Sequence, residues 1–247
     1  MMYEYLLYFG VTLFFSTFFA MGGVGSAVAL VSVFPMLGQS FELSRALALF
    51  VNTSSTLSAS VMNFYRGVLD FKFVLPLVLS ILIFTPIGAY FSQYVDHKIL
   101  MWMLIVFLLV SATLMLFYKK EAKAQYTKRW ILYLLGAVVG TISGMLGVGG
   151  GALLMSLLIL LGFDAKKAAY GVSFIIPFSS FGAFVTYLQF VKMDWILLAD
   201  VTVAALIGGY LGEKIMHFKL SQSQIKKLIG LVLYLIATKM ILKLVTS

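Results

Sequence analysis

Cysteine is absent from the 247 residues, which excludes disulfides, iron–sulfur clusters and thiol or persulfide chemistry. Histidine is nearly absent as well. His97 and His217 both fall at the ends of apolar stretches and share no metal-ligand spacing with carboxylates. Hydrolysis inside a membrane requires a buried nucleophile beside a buried base, and neither histidine lies deep enough to be that base. An aspartyl dyad requires two embedded carboxylates, and Asp200 stands alone. Gly144–Gly149 has the look of a weak phosphate loop, but no strand precedes it. An enzyme is therefore not expected, nor is a cofactor or metal. Charge is scarce too: 11% of residues, against about a quarter in soluble domains.

What is abundant is apolar surface. Hydrophobic residues make up 62% of the chain and the mean hydropathy is +1.05. No water-soluble fold of this size has the interior to hide so much. The chain reads as an all-α polytopic membrane protein with the lipid bilayer as its solvent. At about 20 residues per span it has room for roughly eight passes and no sizeable soluble domain. The net charge of +9 marks cytoplasmic loops rather than nucleic-acid binding. Met1-Met2-Tyr3-Glu4 lacks a positive n-region, so the first span is expected to belong to the mature protein.

Charge, glycine and proline divide the chain into apolar stretches at 5–21, 26–37, 43–65, 71–93, 98–118, 130–146, 151–161, 165–190, 195–212 and 225–245. Two of them, 26–37 and 151–161, are too short to cross. Each follows a glycine cluster: Gly22-Gly23-Val24-Gly25-Ser26 and Gly147-Val148-Gly149-Gly150-Gly151. Glycine permits backbone angles that break a helix, so each short stretch and its predecessor are expected to form a broken, re-entrant hairpin. Trp102, Trp130 and Trp195 fall near span ends, where an aromatic belt belongs.

The two clusters are one feature written twice. Gly23-Val24-Gly25-Ser26-Ala27 recurs 124 residues later, as do Gly38 at Gly162 and Asp70 at Asp194. Arg45-Ala46 is matched with Lys167-Ala168, and Ile87-Gly88-Ala89-Tyr90 with Ile207-Gly208-Gly209-Tyr210. An ordered series of this kind is a duplication, a plan common among secondary transporters. The domains follow as a first repeat 1–118, a basic loop 119–129 and a second repeat 130–247. That loop holds Lys119, Lys120, Lys123, Lys128 and Arg129 against Glu121 alone, so it is assigned to the cytoplasm. If 130–161 crosses once, the stretch with Lys214, Lys219, Lys226 and Lys227 lies outside; if it returns to its starting side, that stretch lies inside. The positive-inside rule favours the return. The repeats are then inverted in topology, each a glycine-broken hairpin plus three transmembrane helices, with both termini outside.

Polar residues inside the spans mark the candidate site. Irregular backbone at membrane depth is tolerated only when buried or lining a cavity, which points to Gly23, Gly25, Ser26, Gly147, Gly149, Gly150 and Gly151. Plain close packing would place small residues four apart on one face instead. Asn52, Thr53 and Ser54 begin about nine residues into their span, roughly 14 Å deep and near the bilayer midplane. Ser173 lies at matching depth in the second half, Pro177 frees its carbonyl four residues on, and Ser179 and Ser180 follow. Singly, such hydroxyls bond back to their own helix as often as not. Exposed N–H groups at the starts of the short helices, aided by the helix dipole, suit a small anionic substrate. Asp200 is either a site for a proton or other coupling ion, or a partner for Lys239. Arg45 and Lys167 open equivalent spans, as anion attractors at the mouths or as ordinary interface anchors.

The paired glycine motifs, each followed by an apolar run, Gly38 or Gly162 and then a basic-residue–Ala pair, resemble the sulfite exporter TauE/SafE family, as do the closing Gly88-Ala89 and Gly208-Gly209 signatures. The resemblance covers nearly the whole chain. It implies a multi-pass transporter of the bacterial inner membrane, working as an exporter, for small sulfur-containing anions such as sulfite or organosulfonates. Ser26 stands where the second motif has Gly150, which leaves the two half-sites chemically unequal. A non-transporting membrane subunit or assembly factor, and a small-anion channel, are the competing readings.

Overall fold

The computed structural model describes residues 2–117, 129–163, 165–218 and 222–246. Among them are ten α-helices and no strand: α1 (Met2–Ala20), α2 (Ala27–Val33), α3 (Phe41–Tyr65), α4 (Phe71–Phe91), α5 (His97–Phe117), α6 (Arg129–Leu146), α7 (Gly151–Leu160), α8 (Ala165–Tyr187), α9 (Trp195–Phe218) and α10 (Gln222–Thr246). The basic stretch 118–128, Lys219 and the side chain of His217 lie outside the described residues.

Five helices are long and apolar enough to cross a membrane: Phe71–Tyr94, His97–Phe117, Arg129–Leu146, Lys167–Tyr187 and Trp195–Gly212. Helices α3 and α10 have the length but a more polar composition. For α3 the cause is plain. Its 25 residues span about 37 Å and carry Arg45, Asn52, Ser55, Thr56 and Asn63, all buried by neighbouring helices rather than presented to lipid. The exposed apolar surface suited to lipid lies on residues such as Leu75, Leu79 and Ile83 of α4 and Val203, Leu206 and Tyr210 of α9, with Leu57 and Val61 on the outer face of α3.

The stretches that correspond in sequence also correspond in helix starts and packing. Asp70 Oδ1 accepts from the Lys72 N–H at 3.1 Å, and Asp194 Oδ1 from those of Ile196 and Leu197 at 3.1 and 3.0 Å. These are N-caps of α4 and α9, each worth about 1 kcal/mol. Gly38 (φ +102°) and Gly162 (φ +88°) turn the chain out of the two short helices in the left-handed conformation. Helix α4 packs on α6 as α9 packs on α1, α4 on α8 as α9 on α3, and α2 on α3 as α7 on α8. Helix α3 meets its own counterpart α8, and α5 meets α10.

Both counterpart pairs run antiparallel. Arg45, early in α3, reaches Tyr187 at the end of α8, while Asn63, late in α3, reaches Ser173. In the other pair Thr113 bonds Tyr234, and Leu116 lies against Gly230. Small-residue packing has its own glycines. Gly136, Gly140 and Gly144 recur every fourth residue on α6 and admit α4, a Cβ at 136 lying 2.9 Å from Ser80 Cβ. Gly208 and Gly212 admit α1 against α9 in the same way.

Candidate functional site

The breaks between α1 and α2 and between α6 and α7 share a backbone. Gly23 and Gly147 have φ of +65° and +71°, and Gly25 and Gly149 have +78° and +69°. An L-residue there costs roughly 1–2 kcal/mol each. The next position differs: Ser26 is right-handed at φ −88°, whereas Gly150 is left-handed at +72°. Ser26 makes no side-chain cap; its Oγ lies 3.2 Å from Ser16 Oγ.

Asn52, fully buried on α3, occupies the place where the two breaks meet. Its Oδ1 accepts from the Ala27 N–H at 3.2 Å, so it caps α2 from another helix. Its Nδ2 donates to Ser180 Oγ at 2.8 Å. A Cβ on Gly25 would collide with Asn52 Oδ1, and one on Gly149 with Asn52 Nδ2 and Ser180 Oγ. Ser179 donates to the Gly149 carbonyl at 3.2 Å and lies 3.5 Å from Thr85 Oγ1 on α4. Gly151 admits the Val24 carbonyl and Ile176. One amide thus joins both glycine motifs in a cluster of neutral donors and acceptors with no carboxylate in it.

The other expected residues divide. Thr53 and Ser54 donate to the Leu49 and Phe50 carbonyls of their own helix, both at 3.0 Å, which is the ordinary role of a hydroxyl in an apolar helix. Ser173 lies two turns along α8 from the cluster, on the far side of Pro177. It donates to the Tyr170 carbonyl at 3.0 Å and accepts from Asn63 Nδ2 at 2.9 Å, while Asn63 Oδ1 is buried without a partner. Asp200 is half-buried on α9 with its Oδ2 unpartnered, and no ion pair joins it to Lys239 among the described residues. Asn63 escaped sequence reading although the signal was present: it lies 18 residues, five full turns, from Arg45 and thus on the same stripe as Arg45 and Asn52.

Arg45 and Lys167, which the sequence puts on an equal footing, prove unlike. Lys167 is exposed, whereas Arg45 is only 2% exposed. The Arg45 guanidinium carbon lies 4.8 Å from the Phe41 ring centroid and 4.9 Å from that of Tyr187. Its Nη1 donates to the Met145 carbonyl at the C-terminal end of α6 at 3.0 Å, and its Nε has no partner. Tyr187 Oη lies 3.1 Å from both the Gly144 and Met145 carbonyls and 3.2 Å from Ser92 Oγ. Among the described residues no carboxylate pairs with Arg45, the nearby Glu42 lying 3.5 Å from His97 Nδ1 instead. Stacking and a helix C-terminus offset part of the several kcal/mol that burial of an unpaired ion costs.

Gly147 makes room for Arg45, since a Cβ there would lie 2.6 Å from Arg45 Cβ. At the first break Gly23 faces Ala169 instead, whose Cβ lies 3.6 Å away. Ala169, not Lys167, is therefore the counterpart of Arg45. The matching of the two basic–Ala pairs slips by two residues, because a lysine beside an alanine imitated the pattern in sequence only.

The family model for the sulfite exporter TauE/SafE matches residues 8–240, which takes in both breaks, α2 to α9 and most of α1 and α10. The chain is 25% identical over 206 residues to the probable membrane transporter protein YdhB of Bacillus subtilis, covering 80% of this chain and 83% of that one. Doubled glycine breaks, antiparallel counterpart helices and a match along nearly the whole length converge: the chain belongs to the sulfite exporter TauE/SafE family of membrane transporters.

Proposed function

We infer that the protein is a secondary transporter for small sulfur oxyanions, sulfite or organosulfonates, resident in the bacterial inner membrane and working as an exporter by alternating access. The observation that carries this reading is Asn52, whose one amide bridges the N-terminus of α2 and the Gly149 break through Ser180. The substrate site lies there, between the repeats. In the occluded conformation the donors satisfy one another. Opening either side releases the Asn52 amide, the Ser179 and Ser180 hydroxyls and the N–H groups at the start of α7 to hold an anionic oxygen. Neutral donors suit a site that must also release its ligand. Alternating access requires two halves that exchange roles, and the antiparallel pairing of α3 with α8 and of α5 with α10 supports an inverted arrangement. Asp200, unpartnered at one oxygen, is the residue for proton coupling.

Flux into proteoliposomes with labelled sulfite, a taurine-like sulfonate, sulfate and a carboxylate tests the reading. Saturable uptake with counterflow of a sulfur oxyanion is expected. Ionic currents without counterflow indicate a channel, and no flux of any anion indicates a non-transporting subunit. Single cysteines in this cysteine-free chain test the topology: His97 and Lys192 label from outside, Lys123 and Lys219 from the cytoplasm.

A further inference from the structure

The cage around Arg45 lies outside the cluster at Asn52, seven residues or about 10 Å along the same stripe of α3. A plain account of it is structural: the guanidinium ties down the frayed C-terminal carbonyls of α6. The duplicated architecture supplies the control for that account. At the equivalent place beside the first break stands the uncharged Ala169, and the break after α1 forms there with the same left-handed glycines. The charge is therefore not required to make a break. What the structure spends on Arg45 exceeds that task, because one N–H is left buried and unpaired while two rings hold the guanidinium plane in place. At the opposite end of the stripe the buried polar group is the neutral Asn63.

We propose that Arg45, clamped between Phe41 and Tyr187, is a second anion subsite at one end of the transport path, its Nε–H reserved for an oxygen of a sulfur oxyanion. The guanidinium presents parallel donors that match two oxygens of a sulfonate or sulfite, a geometry an ammonium lacks. The stripe is thus unequal in its fully buried side chains, with the cation of Arg45 towards the α3 N-terminal end and the amide of Asn63 towards the other. The subsite takes its ligand class from the transporter reading above, but its occupancy is measurable without flux.

The test is thermal unfolding of the detergent-purified full chain, titrated with sodium sulfite, sulfate or methanesulfonate against sodium chloride at equal ionic strength. Stabilisation of the parent by the oxyanions beyond chloride is expected, with a half-saturation that rises about tenfold or more in Arg45→Gln. Arg45→Lys keeps the charge and is expected to lose the preference for oxyanion over chloride. A parent indifferent to oxyanions, or an Arg45→Gln with unchanged half-saturation, overturns the subsite. Should Arg45→Gln fail to fold, parent-like half-saturation and preference in Arg45→Lys overturn it equally. Flux is read separately: oxyanion binding that depends on Arg45 without transport of any anion leaves the subsite standing and removes the transporter reading.

Discussion

The two glycine breaks have nearly the same backbone and very different linings. At both, left-handed glycines end one helix and start a short second one. Against the first lies Asn52, which reaches α2 with its amide oxygen; at the matching distance Ile176 lies against the start of α7, apolar and unable to cap anything. Beside the second lies Arg45, and beside the first Ala169. The left-handed backbone geometry is the same at both breaks because the chain turns there on positive φ. Side chains that face the shared interior are under no such constraint, so one amide serves both breaks and one guanidinium the second alone. Two identical half-sites would set identical groups against each other across the α3–α8 contact, and a single asymmetric cluster avoids pairing like with like.

The comparison breaks most completely at the glycines. Gly25→Leu and Gly149→Leu put a side chain into Asn52 and force a left-handed L-residue, which costs about 1–2 kcal/mol for the backbone and about 1–3 kcal/mol for overpacking. Flux is expected to fall to background in both, while membrane insertion, followed by immunoblot of the membrane fraction, persists. Parent-like flux would reduce the glycines to packing.

Next in size is the lining itself. Asn52→Ala strands the Ala27 N–H and Ser180, a loss of about 1–3 kcal/mol, and is expected to raise the flux KM about tenfold or more. Ile176→Val, at the counterpart position, is expected to change KM less than about twofold. Equal effects would mean that the two linings share the work.

Asp200 sharpens the asymmetry further, since the first half has Pro76 at the matching separation. Asp200→Asn is expected to retain substrate binding and to flatten the response of uptake to an imposed pH gradient. Unchanged gradient dependence would leave it a structural residue.

A smaller effect belongs to Gly150→Ser, which copies Ser26 into the second break. The left-handed conformation at Gly150 makes this cost about 1 kcal/mol, or roughly 2–4 °C of unfolding temperature, whereas Ser26→Gly leaves the right-handed conformation accessible. Smallest of all are Thr53→Val and Ser54→Ala. Their hydroxyls serve their own helix, so a change in flux KM under about twofold is expected, and a larger one would return them to the site.

Much of this was legible from the chain alone. Membrane class, helical spans and broken helices follow from properties that act locally: apolar length, the absence of charge, and glycine where φ must be positive. Asn52 and Ser179 were legible as polar groups at depth, and Gly25 and Gly149 as close approaches. Thr53 and Ser54 were read with them only because they are adjacent in sequence, and adjacent residues on a helix point about 100° apart. Lys167 passed for the counterpart of Arg45 because a short matched pair tolerates a slip that packing does not.

What only the tertiary structure decided is which helix each stripe faces. The bond from Arg45 to Met145 joins residues 100 apart, and that from Asn52 to Ser180 joins residues 128 apart. No local propensity encodes such pairs, since they exist only once α3 lies antiparallel to α8 and across the end of α6. The residues of α3 specify a polar stripe; burial of that stripe against α6 and α8 gives Arg45 its cage and leaves its Nε unpaired.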